Sequence, residues 1–153
     1  MRLNKRYLAG FLAAIVTLLV GMSVHAQVKR PYRNGSVWTL AFIRMKPGMD
    51  TAYLTYLGGD WKRNQEALKK EGMILSYRVL TTEAHAGTDW NLILMTEYKD
   101  LAALEANEDK SEAILQRVIG DDQKQMQGYR DRAEVREVLG GRLAREIVLE
   151  PRP

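Results

Sequence analysis

Few side chains in this chain could do chemistry, and their types and spacing restrict what that chemistry is. Two histidines occur in 153 residues, His25 and His85, and there is no cysteine. His25 falls in the leader discussed below, which leaves His85 between Glu83 and Asp89. A histidine there could act as a general base or as a haem or metal ligand. Its polar surroundings favour the plainer alternative, a solvated loop residue. One histidine cannot supply a multi-histidine zinc site, and Glu-x-His has no metal-binding spacing. A nucleophile triad lacks material, since there is no Gly-x-Ser-x-Gly and Ser36, Ser76 and Ser111 have no neighbouring histidine. Gly58-Gly59 and Gly140-Gly141 fit neither phosphate-binding fingerprint. The carboxylates of Glu105–Asp109 and Asp121-Asp122 read as solvated helix faces or loops. No cofactor, no metal site and no assignable catalytic residue follow.

The aromatic residues are more suggestive. Trp38, Tyr53, Trp61, Tyr77 and Tyr98 belong to four segments, and Arg44, Asn64 and Arg78 could supply sparse polar anchors. An apolar cavity with few polar groups is the usual form of a small-molecule site. The competing reading is a packed core with tyrosine hydroxyls at its rim. If the chain is catalytic, Tyr77, Asn64 or His85 would move the proton.

Those residues must be positioned by elements that the patterning identifies. Arg2, Lys5 and Arg6 precede an apolar run over Tyr7–Gly21, and Val24-His25-Ala26 has small residues at the −3 and −1 positions before Gln27. This is the three-part pattern of a secretory leader. Residues 1–26 are therefore expected to be removed, giving a periplasmic or secreted protein. An uncleaved anchor is the alternative, although the run is short for a membrane-spanning helix. Setting aside Arg2, Lys5 and Arg6 lowers 23 basic residues to 20, against 19 acidic, a net of +1. The high pI thus belongs largely to the leader, and nucleic-acid binding has no support.

Residues 27–36 read as a flexible lead-in ending in an Asn34-Gly35 turn. Val37–Met45 reads as a strand apolar on both faces, with Trp38, Leu40 and Phe42 on one and Val37, Ala41, Ile43 and Met45 on the other. Pro47-Gly48 ends it and Asp50 opens a helix whose stripe is Tyr53, Leu57, Trp61, Asn64 and Leu68. Gly58-Gly59 marks a break or a close approach, and Gly72 a stop. Met73–Leu80 reads as a half-buried strand, Thr81–Asp89 as a loop and Trp90–Tyr98 as a second strongly apolar strand. Lys99–Ile119 is helical in pattern, with a loop expected within Glu105–Glu112. Asp121–Leu139 is helix-compatible and closed by Gly140-Gly141, and Arg142–Glu150 is the last strand.

The order is β-α-β-β-α-β with an extra helical piece. It predicts an α+β, ferredoxin-like domain over 37–150. Right-handed crossovers place the first and third strands at the centre of a four-stranded antiparallel sheet, with helices on one face. On that order, the two-sided central strands and the Lys46-Pro47-Gly48 turn, residues 36–150 resemble the dimeric α/β-barrel superfamily, in which two such sheets pack face to face. The resemblance implies a homodimer. It also implies a function drawn from a mixed group: cofactor-free monooxygenases, haem-binding enzymes, small-molecule isomerases and stress-induced proteins. Haem-binding members generally use an axial histidine on a helix, and His85 does not lie on one. The expected function is a homodimer binding a small apolar or aromatic ligand. The alternative is a cofactor-independent monooxygenase or isomerase acting on an aromatic or quinone-like compound.

Overall fold

A computed structural model describes residues 30–83 and 85–151, so the leader reading and His25 lie outside the described residues. A compact unit begins at Tyr32. Strand β1 (Tyr32–Met45) is followed by helix α1 (Asp50–Tyr56), a π turn (Leu57–Trp61) and helix α2 (Lys62–Lys70). Strands β2 (Ser76–Thr81) and β3 (Leu92–Tyr98) come next. Helices α3 (Leu101–Glu105), α4 (Glu108–Val118) and α5 (Asp122–Val135) then lead to strand β4 (Arg136–Leu149). The sheet order is β2-β3-β1-β4, antiparallel throughout. This is the ferredoxin-like topology, with the first and third strands central.

Alternation along β1 and β3 sorts their side chains onto two faces. Val37, Ile43 and Met45 of β1 are buried together with Leu92 and Thr96 of β3. Ile43, Met45 and Leu92 pack beneath Tyr53 and Leu57 of the first helical layer, with Val135 of α5 alongside. A second cluster joins Leu68 of α2 and Ile114 of α4 to Met73 and Ile74. All helices named in these clusters lie on the same side of the sheet. The opposite face carries Trp38, Leu40, Phe42, Ile93 and Met95, each only half-buried, and none belongs to either cluster.

Several boundaries differ from the sequence reading. Tyr32–Ser36, expected as a flexible lead-in, is already strand and pairs with β4. Asn34-Gly35 adjoins a register shift between Asn34 and Val37 and makes no chain reversal. Gly58-Gly59 does not break its helix. It lies in a π turn, where one wider turn keeps the helix continuous. The second strand starts at Ser76, after Met73 and Ile74 have been spent on the core, and Leu75, Val79 and Leu80 are exposed. The third starts at Leu92, while Trp90 lies against Phe42 with ring centroids 5.2 Å apart.

The interruption after α3 is confined to Ala106-Asn107, because Glu108 opens α4. Helix α5 ends at Val135, so Gly140-Gly141 lies within β4 and does not terminate a helix. Gly140 adopts φ of 154° beside a register shift opposite Phe42 and Ile43. A strand bulge with glycine at the strained position explains the pair better than a helix stop. Among the described residues no helix is long and apolar enough to cross a membrane.

Candidate functional site

The π turn and α2 form one wall of a cleft, and α4 and α5 form the other. Asp121 starts the second wall: its carboxylate accepts from the Lys124 amide at 3.0 Å and caps α5. The cleft has a volume of about 240 Å³ and is lined by Tyr56, Trp61, Asn64, Gln65, Tyr129 and Arg132, among others. A second recess of about 250 Å³ also has Tyr56 and Arg132 in its wall, together with Gly128 and Val135.

The helical stripe explains why Trp61 and Asn64 arrive together: they are three residues apart on one helix face. The wider π turn adds a residue immediately before them and swings the following side chains around the axis. Asn64 is held with its Oδ1 buried and without a hydrogen-bond partner. Gln65, one residue on, is buried, and its Oε1 accepts from Thr96 Oγ1 of the sheet at 3.4 Å. Among the described residues two further buried side-chain polar atoms lack partners, the Tyr53 hydroxyl and Arg136 Nε. Buried polar groups are almost always paired, so an orphaned acceptor on a residue that lines a cleft is a candidate ligand contact.

Two guanidiniums, from α5 and the start of β4, lie over tyrosine rings of α1 and α5. The Arg132 guanidinium carbon lies 4.8 Å from the Tyr56 ring centroid and 4.5 Å from that of Tyr129. That of Arg136 lies 5.4 Å from the Tyr53 ring. Burial pushes the Tyr53 phenol up to about 12, with Arg136 pulling the other way. Burial also raises Tyr56, against the pull of Arg132 and Arg136. Both phenols are therefore neutral at physiological pH, able to donate a hydrogen bond and poorly suited to act as bases.

The residues expected to line one cavity are divided among several places. Trp61 and Asn64 line the cleft. Tyr53 lies in the core with 0% exposure. Tyr77 meets Trp61 edge-on at 5.3 Å and donates to Glu66; that hydrogen bond, more than burial, raises its phenol to about 12. Tyr98 packs on the second core cluster, where burial raises its phenol. Trp38 lies on the open sheet face, with the Arg78 guanidinium carbon 5.9 Å from its ring centroid. Strand alternation causes this separation, since Val37 takes the helix side and Trp38 must take the other.

Arg44 stands at the end of β1, where it pairs with Glu137 and donates to the Gly87 carbonyl at 2.8 Å. It borders a larger cavity of about 440 Å³ with Lys46, Asp50, Asp89 and Asn91. In that cavity Asn91 accepts from the Met45 amide at 2.8 Å, and Asp89 accepts from the amides of His85 and Ala86. Arg44, Asp89, Asn91 and Glu137 are thus engaged with one another's segments and with the β2–β3 loop, and the smaller cleft, with its unpartnered Asn64 acceptor, is the better candidate. His85 is in that loop, exposed and away from the cleft.

Tyr56, Tyr129 and Arg132 were not among the predicted lining residues. Their sequence signal is slight: Tyr129 and Arg132 share one face of a strongly charged helix, and Gly128 precedes them without ending it.

No family model matches the chain, and no curated protein matches it. Among solved structures it is similar to a dimeric ferredoxin-like protein from an uncultured marine organism, at 18% identity and a TM-score of 0.37. That likeness covers 78% of this chain and 98% of the other. The ferredoxin-like fold is read from the strand order itself, and no residue role is carried across from the comparison.

Proposed function

We propose that this chain is an exported homodimer that binds a small aromatic or apolar molecule in the helix-side cleft of each protomer. The observation that carries the binding reading is the buried, unpartnered Oδ1 of Asn64 in a cleft walled by Tyr56, Trp61 and Tyr129. An unmet buried acceptor costs roughly 1–3 kcal/mol, and a ligand donor would remove that cost. We favour binding over a cofactor-independent monooxygenase or isomerase because His85 is remote from the cleft and Glu66 engages the Tyr77 hydroxyl.

Pairing is supported by the open sheet face. Trp38, Leu40, Phe42, Ile93 and Met95 form a contiguous apolar patch, bordered by Arg78, Glu97 and Arg142. An apolar centre with a charged rim is the anatomy of a protein interface, and a second copy offers a matching surface by symmetry. Export is supported by the leader pattern of residues 1–26.

Native mass spectrometry of protein purified from its own host tests the three parts together. The expected species is a dimer whose chains begin at Gln27 and carry a small co-purifying mass. A monomer at low micromolar concentration refutes the pairing, and an intact Met1 start refutes cleavage. A ligand-free species that neither gains mass nor changes Trp61 fluorescence with small aromatic compounds refutes the binding.

A further inference from the structure

We infer that the ligand of the cleft carries a negative charge beside its ring, most simply a carboxylate, and that Arg132 receives it. This rests on the reading of the cleft as a small-molecule site.

The Arg132 guanidinium makes no ion pair and no hydrogen bond among the described residues, although it is half-buried between two tyrosine rings. Ring faces attract a cation without neutralising it, and they offer no acceptor of carboxylate strength. The guanidinium donors are therefore left for an anion, and their planar fork suits a carboxylate. The obvious internal partners are committed elsewhere. Asp60, in the same wall, pairs with Arg63, and Asp131 accepts from Gln127 at 2.7 Å. Arg136 adds a second guanidinium in the same layer, again without an ion pair among the described residues.

The helix also makes room for Arg132. A Cβ built on Gly128 would stand 2.9 Å from Arg132 Nη1, closer than side-chain carbons ordinarily come. Glycine inside a helix is unfavourable by roughly 1 kcal/mol relative to alanine, and here a methyl group would make the Arg132 guanidinium shift from its place between the rings. Leu115, Ile119 and Trp61 form the apolar part of the wall, suited to a ring. Asn64, in the same wall, adds an unpartnered acceptor that a ligand donor would satisfy. A hydroxy- or amino-substituted aromatic carboxylate meets all of these conditions, and a cleft of about 240 Å³ restricts it to a compact compound.

The test is calorimetric titration of the full mature chain with para-hydroxybenzoate and with para-hydroxybenzamide, its uncharged counterpart. The carboxylate should bind roughly ten-fold tighter or more, and added salt should weaken only the carboxylate. Arg132→Gln should weaken the carboxylate far more than the amide and so abolish the difference between the two probes. Gly128→Ala, which displaces Nη1 while keeping the arginine, should weaken the carboxylate partway and serves if Arg132→Gln does not fold. Equal binding of the two probes, or insensitivity to both variants, overturns the inference and leaves the cleft as a site for neutral ligands. Binding of neither probe, or binding unchanged in Asn64→Leu, overturns the cleft reading itself.

Discussion

Ile43 and Leu92 face each other across the β1–β3 ladder with 1% and 0% exposure, while Phe42 and Ile93, paired one position along, are only half-buried. Both pairs belong to the same antiparallel ladder. What differs is the cover: α1 and the π turn, with Val135 of α5, lie over the first pair, and none of the core-forming helices lies over the second. Side-chain type does not separate the faces, because both are apolar at the centre of the sheet. The chain has enough helix to seal one face, and an apolar second face calls for a second surface.

Paired truncations would sharpen this contrast most. Leu92→Ala removes a side chain with no exposure and should cost about 2–5 kcal/mol in denaturant unfolding, at any protein concentration. Met95→Ala, on the same strand but the other face, should cost less than Leu92→Ala in dilute protein and gain in cost as concentration rises. Equal, concentration-independent costs would abolish the distinction between the faces.

A charge on the open face gives the next largest effect. Phe42→Glu should shift size-exclusion with light scattering from dimer to monomer and remove the concentration dependence of Tm. Helix content by circular dichroism should be retained, since Phe42 belongs to neither core cluster. A dimer that tolerates Phe42→Glu would mean that pairing uses another surface, such as the exposed Leu143, Ile147 and Leu149 of edge strand β4.

The two-sided sheet was legible in the sequence because alternation is local: Trp38, Leu40 and Phe42 interleave with Val37, Ala41 and Ile43, and one residue's step decides the face. Element order then gave the central strands correctly. Glycine pairs were less legible. Gly58-Gly59 in a π turn and Gly140-Gly141 in a strand bulge look alike as sequence, and only the tertiary partner decides which irregularity forms. The cleft was half legible. Trp61 and Asn64 stand on the apolar stripe of one helix, but Tyr129 and Arg132 lie on a charged helix whose register against α1 is fixed by long-range packing. Aromatic residues scattered over several elements carry no mark of which face they will take, so one expected cavity resolved into a core, a cleft and an open face.

The covered face can be tested at its weakest point. Tyr53 is fully buried with an unpartnered hydroxyl. Tyr53→Phe should therefore raise stability by about 1 kcal/mol in the ligand-free protein. The same tyrosine sets an alkaline limit. Its folded pKa of about 12 lies above the model-compound value of 10.0, so folding favours the protonated phenol. That contribution is complete below pH 10 and is lost as pH rises through about 12. Stability should fall over this interval, and less steeply in Tyr53→Phe. An unchanged alkaline slope in the variant would mean that the phenol is open to solvent.

Gly128→Ala should have the smallest effect on stability, because two terms oppose each other. Helix propensity favours alanine by roughly 1 kcal/mol. The new methyl group meets Arg132 Nη1, the far end of a flexible side chain, which can move away at the loss of its position between Tyr56 and Tyr129. A cation over two ring faces is worth roughly 0.5–1 kcal/mol per ring where partly exposed, so the terms nearly cancel and Tm should change little. A clear gain in Tm would mean that the Arg132 stack contributes little to the fold. A clear loss would mean that the stack, and not the apolar contacts of Val135, holds α5 against α1.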